Sequence, residues 1–266
     1  MPPDALADFT ESTFTHDGTA HQVFRHGSGP AVIVVHEAPG LHPGVIDFGR
    51  RVVEAGFTVF MPSLFGTPGR EIGVGYTARV MLRACVAREF SAFALDRTNP
   101  AMHWLRALAA HAHAECGGPG VGAIGMCFTG GFALGMTVGD DVLAPVLSQP
   151  SLPLGPGRRR QAAAGISDDD FTRVKQRCAN EGVCVLGLRF SEDAFVRPAR
   201  FETLQRELGE NFIRVDIDSR PGNPHGIGKR AHSVLTRDFV DEPGHPTRDA
   251  LDRVLDFFRE RLSPRV

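Results

Sequence analysis

No run of apolar residues in this 266-residue chain approaches the length needed to span a bilayer. The longest, such as "AVIVV" at 31–35, suit a strand buried on both faces. An excess of either charge is also missing. The chain has 29 Lys and Arg against 31 Asp and Glu, and its pI is about 6.6. Neither a nucleic-acid partner nor a membrane-surface partner is expected from such a balance. The first residues, "MPPDALADFTESTF", lack a basic segment followed by an apolar run, so no secretory signal is read there and the expected setting is cytoplasmic. Cysteine is sparse. Cys85, Cys116, Cys127, Cys178 and Cys184 are odd in number and irregular in spacing, which points to free thiols in a reducing compartment. Repeats and low-complexity linkers are absent. With 42% hydrophobic and 23% charged residues, the chain reads as a single α/β domain over residues 1–266.

What is present is an alternation of short apolar runs and longer amphipathic stretches. "AVIVV" (31–35) is followed by "GVIDFGRRVVEAG" (44–56), a helix closed by glycine, and by the strand "FTVFMP" (57–62). A loop rich in glycine and proline covers 63–75, and 76–115 reads as two helices broken near "NP" at 99–100. Further strands are expected at 121–125, 141–150, 183–190 and 212–218, and helices at 129–138, 167–178, 199–209 and 247–262. Residues 151–165 read as a loop with a solvated basic run. Strand and helix alternating in this way give a mostly parallel central sheet with helices on both faces.

Several motifs have ordinary explanations. Gly120, Gly122 and Gly125 spell G-x-G-x-x-G, but the apolar strand lies inside the motif rather than before it, which argues against nucleotide binding. His111 and His113 sit two apart on a helix and face different ways, so they and Cys116 make a poor metal site. His36 and His42 have no further cluster at ligand spacing. Asp168, Asp169 and Asp170 follow Ser167, a helix N-cap, and suit the positive end of that helix. No metal or other cofactor is expected.

Cys127 stands apart. It lies between a strand and a helix, with Gly125 before it and Gly130 and Gly131 after it. A nucleophile elbow needs such a turn with small neighbours, and it aims the N–H of the next residue, Phe128, at the reacting centre. A buried packing cysteine is the alternative from this stretch alone. Partners follow in the order nucleophile, acid, base. Asp193 comes just after the strand at 183–190, and His225 and His232 lie in the loop after the strand at 212–218. The residues alone leave the two histidines open.

With these residues in place, the chain resembles the dienelactone hydrolase family over roughly residues 20–262. "VVHEAPGLHPGVIDFGRRVVEAGFTVFMPSLFG" is similar to that family's first strand, glutamate-bearing turn, helix and second strand. "GMCFTGG" resembles its elbow, "SEDAFVRP" its acid loop and "AHSVLT" its histidine segment. The resemblance implies an α/β-hydrolase fold, with Cys127 as nucleophile, Asp193 as acid and His232, followed by Ser233, as base. It implies that Glu37 meets the cysteine in the resting site and gates its ionisation. It also implies an oxyanion hole from the N–H groups of Ala38 and Phe128. Three features depart from the family pattern. Thr129 replaces an elbow glycine. Thr236 occupies the place of an arginine that grips the substrate carboxylate, with Arg237 one residue on. The segment 151–165 is more elaborate.

The expected function is a thiol hydrolase for a small ester or lactone, working without a cofactor as a monomer or small homo-oligomer. The departures keep a non-catalytic binding or regulatory domain as the alternative. A redox sensor would need a cysteine to resolve an oxidised Cys127, and none is evident.

Overall fold

The computed structural model describes residues 5–86, 100–151 and 162–263. The expected break before Pro100 and the basic run at 158–160 lie outside them. One eight-stranded sheet organises the chain. In chain order the elements are β1 (Thr10–His16), β2 (Thr19–Gly27), β3 (Ala31–Val35), α1 (Pro43–Glu54), β4 (Thr58–Pro62), α2 (Val74–Val86), α3 (Pro100–Cys116) and β5 (Val121–Met126). They continue as α4 (Gly130–Met136), β6 (Val142–Ser148), α5 (Asp168–Glu181), β7 (Val185–Phe190), α6 (Pro198–Leu208), β8 (Phe212–Ile217) and α7 (Pro246–Leu262).

The strand order is β1-β2-β4-β3-β5-β6-β7-β8. From β4 to β8 every pairing is parallel, while β1 with β2 and β2 with β4 are antiparallel. The strands anticipated from β-branched runs are therefore joined by an N-terminal hairpin that those runs do not announce. β1 is polar and largely exposed, while β2 is mostly polar and buries Val23 and Phe24. Its turn is Asp17-Gly18, both at positive φ, and His16 pairs with Thr19 across it. That is a two-residue turn whose twist suits a hairpin.

Two apolar layers sandwich the sheet. Under one face α1 contributes Val45, Ile46, Phe48 and Val52, and α7 contributes Leu251, Val254, Phe257 and Phe258. On the other face Trp104, Leu105 and Leu108 of α3, all of α4, Val174 of α5 and Phe201 and Leu204 of α6 are buried. Each large side chain so buried contributes about 1.5–3 kcal/mol. The cap of α5 follows the sequence. Ser167 Oγ accepts from the Asp170 N–H at 3.2 Å, with the three aspartates in the first turn. Among the described residues no helix is long and apolar enough to cross a membrane.

The glycines of the G-x-G-x-x-G pattern serve close packing. A Cβ on Gly122 would lie 3.0 Å from the Phe258 ring, and one on Gly120 would lie 2.6 Å from the Asp141 carbonyl oxygen. At Gly125 a Cβ would come within 2.1 Å of the Thr129 carbonyl oxygen, a backbone atom that cannot swing aside. Gly125→Ala is therefore expected to lower stability by about 3 kcal/mol in urea unfolding. Gly139→Ala, whose new Cβ would meet its nearest neighbour at 3.5 Å, should change it by no more than about 0.5 kcal/mol.

Candidate active site

The loops that follow β3, β5, β6, β7 and β8 meet at the carboxyl edge of the sheet, where parallel α/β folds place their ligands. Cys127 follows β5 directly. Its φ is +53°, a left-handed conformation that costs a non-glycine residue about 1–3 kcal/mol. The strain is held by what surrounds it. A short 3-10 turn, Cys127–Thr129, runs straight into α4. Gly130 leaves room for Pro150, whose Cα would lie 2.4 Å from a Cβ there. Thr129, the departure from the expected elbow, is fully buried. Its hydroxyl lies 3.1, 3.0 and 3.0 Å from the carbonyl oxygens of Val35, His36 and Met126, and it accepts the Met126 N–H at 3.1 Å. A glycine would offer none of these bonds, so this threonine fastens the elbow to the end of β3.

Asp193 and His232 approach the elbow from the loops after β7 and β8. His232 Nδ1 lies 2.7 Å from Asp193 Oδ2, and the ring is near enough to the Cys127 side chain for the sulfur to favour its charged form. A carboxylate only accepts, so Nδ1 carries the proton given to Asp193 and the other ring nitrogen is left for the sulfur. Burial works against the charged ring, but the bond to Asp193 and the nearby Cys127 sulfur outweigh it and push the His232 pKa up to about 11. Asp193 Oδ1 accepts the Phe195 N–H at 2.8 Å. Asp238 Oδ2 accepts the N–H groups of His232 and Ser233, each at 2.9 Å, which pins the base loop. The exposed Phe195 ring meets His232 edge-on at 5.3 Å between centroids. His225, the other histidine of that loop, packs against His245 instead and lines a separate 220 Å³ cavity with Arg237 and Phe239.

Glu37 occupies a different place from the one the resemblance implies. Its carboxylate is buried and accepts from His42 Nε2 at 3.1 Å, Gln149 Nε2 at 3.2 Å, Ser233 Oγ at 2.9 Å and the Thr236 hydroxyl. Two oxygens offer about four acceptor positions, and four donors fill them, so there is no place left for a thiol. The Cys127 sulfur lies against Ser151 and His232. Burial would raise the Glu37 pKa, but the bonds from His42 and Thr236 and the nearby His232 hold it below the usual carboxylate value. Beside it, His36 accepts the Leu64 N–H at Nε2, so its Nδ1–H donates to the Glu37 carbonyl at 3.0 Å. Burial lowers its pKa to about 4 and keeps it neutral.

Three residues of this region were not anticipated: Gln149, Ser151 and Asp238. Gln149 has a φ of +36°, and its side-chain oxygen accepts the Val234 N–H at 3.3 Å and the Ser148 hydroxyl. A polar Ser-Gln pair closing a buried strand was the available signal, the same one His36-Glu37 gives after β3. The other polar clusters lie elsewhere. His113 bonds Asp141 at 2.7 Å and the Gly118 carbonyl, and His111 faces Glu115. Among the described residues no group of three His, Cys, Asp or Glu could hold a metal ion.

The sheet order and the helices on both faces define an α/β-hydrolase fold. Solved structures agree. A dienelactone hydrolase-like promiscuous phosphotriesterase, P91, from metagenomic libraries superimposes with a TM-score of 0.64 at 16% identity, over 96% of this chain and 98% of that one. A cold-adapted esterase from an Arctic intertidal metagenomic library gives 0.59 at 14% identity, over 97% of this chain and 96% of that one. Residues 19–262 match the model of the dienelactone hydrolase family, and the chain belongs to that family. It is a hydrolase. The fragment YghX of Escherichia coli (strain K12) is 45% identical over 49 residues, 17% of this chain. That match spans 42% of the relative's own length.

The lowered Glu37 pKa has a stability consequence with a definite sign. Its contribution is present above its ordinary value of 4.5 and is lost as pH falls through the lower folded value. Glu37→Gln is expected to cost about 2 kcal/mol at neutral pH. In urea titrations the gap between wild type and this variant should stay constant above 4.5 and close below it.

Proposed function

We propose that the protein cleaves a small ester or lactone through a thioester acyl-enzyme, with Cys127 as nucleophile, His232 as acid and base, and Asp193 orienting the ring. The observation that supports this reading is the Asp193–His232 pair, 2.7 Å apart and close to Cys127, with the cysteine raised on a strained turn between β5 and α4. The thiolate adds to the carbonyl carbon. The resulting oxyanion is received by the N–H groups of Ala38 and Phe128, one from the turn after β3 and one from the residue after the nucleophile. The imidazolium gives its proton to the leaving alkoxide, and the thioester remains. Water then attacks, its proton passes to His232, and the acid leaves as the thiolate is restored.

The same geometry favours an uncharged acyl group. The Thr236 hydroxyl is committed to Glu37, and Arg237 lines the His225 cavity, so the position expected to grip a carboxylate offers no cation. Phe195 gives the mouth an apolar edge. Glu37 is assigned here to holding the base loop in place rather than to gating the thiol.

Initial rates on small aryl esters and lactones test the assignment. Cys127→Ala and His232→Ala are each expected to lose at least about 10³-fold in kcat/KM, and Asp193→Asn about 10²- to 10⁴-fold. Neutral esters should be turned over faster than analogues bearing a free carboxylate. Rates in Cys127→Ala equal to wild type would exclude the cysteine mechanism.

A further inference from the structure

A serine that the reaction scheme above does not use stands against the sulfur. Ser151 Oγ lies 3.3 Å from Cys127 Sγ, and the Ser151 N–H donates to the Cys127 carbonyl at 2.9 Å. The residue is nearly buried, at 8% exposure. Its stretch of chain is fixed at three successive residues. The Gln149 N–H donates to the Leu188 carbonyl at 2.8 Å, Arg200 donates to the Pro150 carbonyl at 2.6 Å, and the Ser151 N–H is held by Cys127 itself. The hydroxyl is therefore presented to the sulfur by rigid backbone.

We propose that Ser151 is a further catalytic residue whose hydroxyl donates a hydrogen bond to the Cys127 thiolate in the resting enzyme. This rests on Cys127 being the nucleophile. A thiolate only accepts, and a thioester sulfur accepts weakly, so the bond is strong before attack and fades as the carbon–sulfur bond forms. The consequence has two opposed parts. A hydrogen bond to a charged acceptor is worth about tenfold in an ionisation equilibrium, so the thiolate persists to lower pH. Thiol nucleophilicity falls with basicity along a Brønsted slope of about 0.4–0.5, so each thiolate reacts about threefold more slowly. The hydroxyl thus trades peak reactivity for a charged nucleophile over a wider pH range. Among the described residues, the charged and titratable groups facing the sulfur from the neighbouring loops are His232, with Asp193 behind it and Glu37 and His42 beyond. Substituting Ser151 leaves all of them in place.

The test is the pH dependence of Cys127 alkylation by iodoacetamide, followed by mass on the Cys127 peptide. In Ser151→Ala the acidic limb is expected to move up by about one pH unit. The curves should cross: about threefold slower than wild type at low pH and about threefold faster on the alkaline plateau. Ser151→Thr, which keeps the hydroxyl, should follow wild type. Ser151→Gly serves in place of the alanine variant if that variant does not fold. Superimposed curves, or uniform slowing without a crossing, would overturn the assignment while leaving Cys127 as nucleophile. Wild-type protein that turns over esters with Cys127 unalkylated at every pH would overturn the nucleophile as well.

Discussion

A single buried carboxylate sets the geometry of this site. Taking the Glu37 charge out of water is tolerable only if its acceptor positions are filled. The donors that fill them come from three separate parts of the chain: His42 after β3, Gln149 after β6, and Ser233 and Thr236 after β8. None of these segments can shift without leaving the charge short of a partner. The long loop that carries His232 is thus fixed through its neighbours Ser233 and Thr236, and Asp238 fixes its backbone from the other side.

The sheet contributes a second constraint. Parallel strands in the order β3-β5-β6-β7-β8 bring their carboxyl ends into one row, and each end delivers one polar element. Membership of the dienelactone hydrolase family accounts for that frame, while the contacts particular to this chain distinguish its site. Thr236 is turned inward to Glu37 where the family pattern has an arginine, and Thr129 is buried where it has a glycine. The first adds a donor to the buried carboxylate, and the second braces the elbow.

Much of this was legible in the sequence, for physical reasons. Buried parallel strands must be apolar throughout, so "AVIVV" and "VGAIG" announce β3 and β5. The glycines around Cys127 mark a turn that side chains would obstruct, and the order of Asp193 and His232 follows from the order of the strands. The β1–β2 hairpin was not legible from hydrophobicity because β1 is largely exposed and β2 buries only the pair Val23-Phe24 among polar residues, although Asp17-Gly18 lies at its turn. Gln149, Ser151 and Asp238 were not legible because their partners are remote in sequence or depend on how two loops meet. Glu37 was named through the family resemblance, and its partners could be known only once the loop after β8 was in place. Thr129 read as an irregularity, since nothing local shows that β3 lies against its hydroxyl.

That hydroxyl also determines how the site divides mechanically. By joining the elbow to the last carbonyls of β3, it makes the turn bearing Cys127 and the turn bearing Glu37 one body, already paired along two adjacent strands. Asp193 and the chain around His232 belong to the outer strands and reach this body through polar contacts and through the buried Val234 and Leu235. Changes to the pocket are therefore best placed on the segment after β7, where they alter the approach to the sulfur without loosening the turn that carries it.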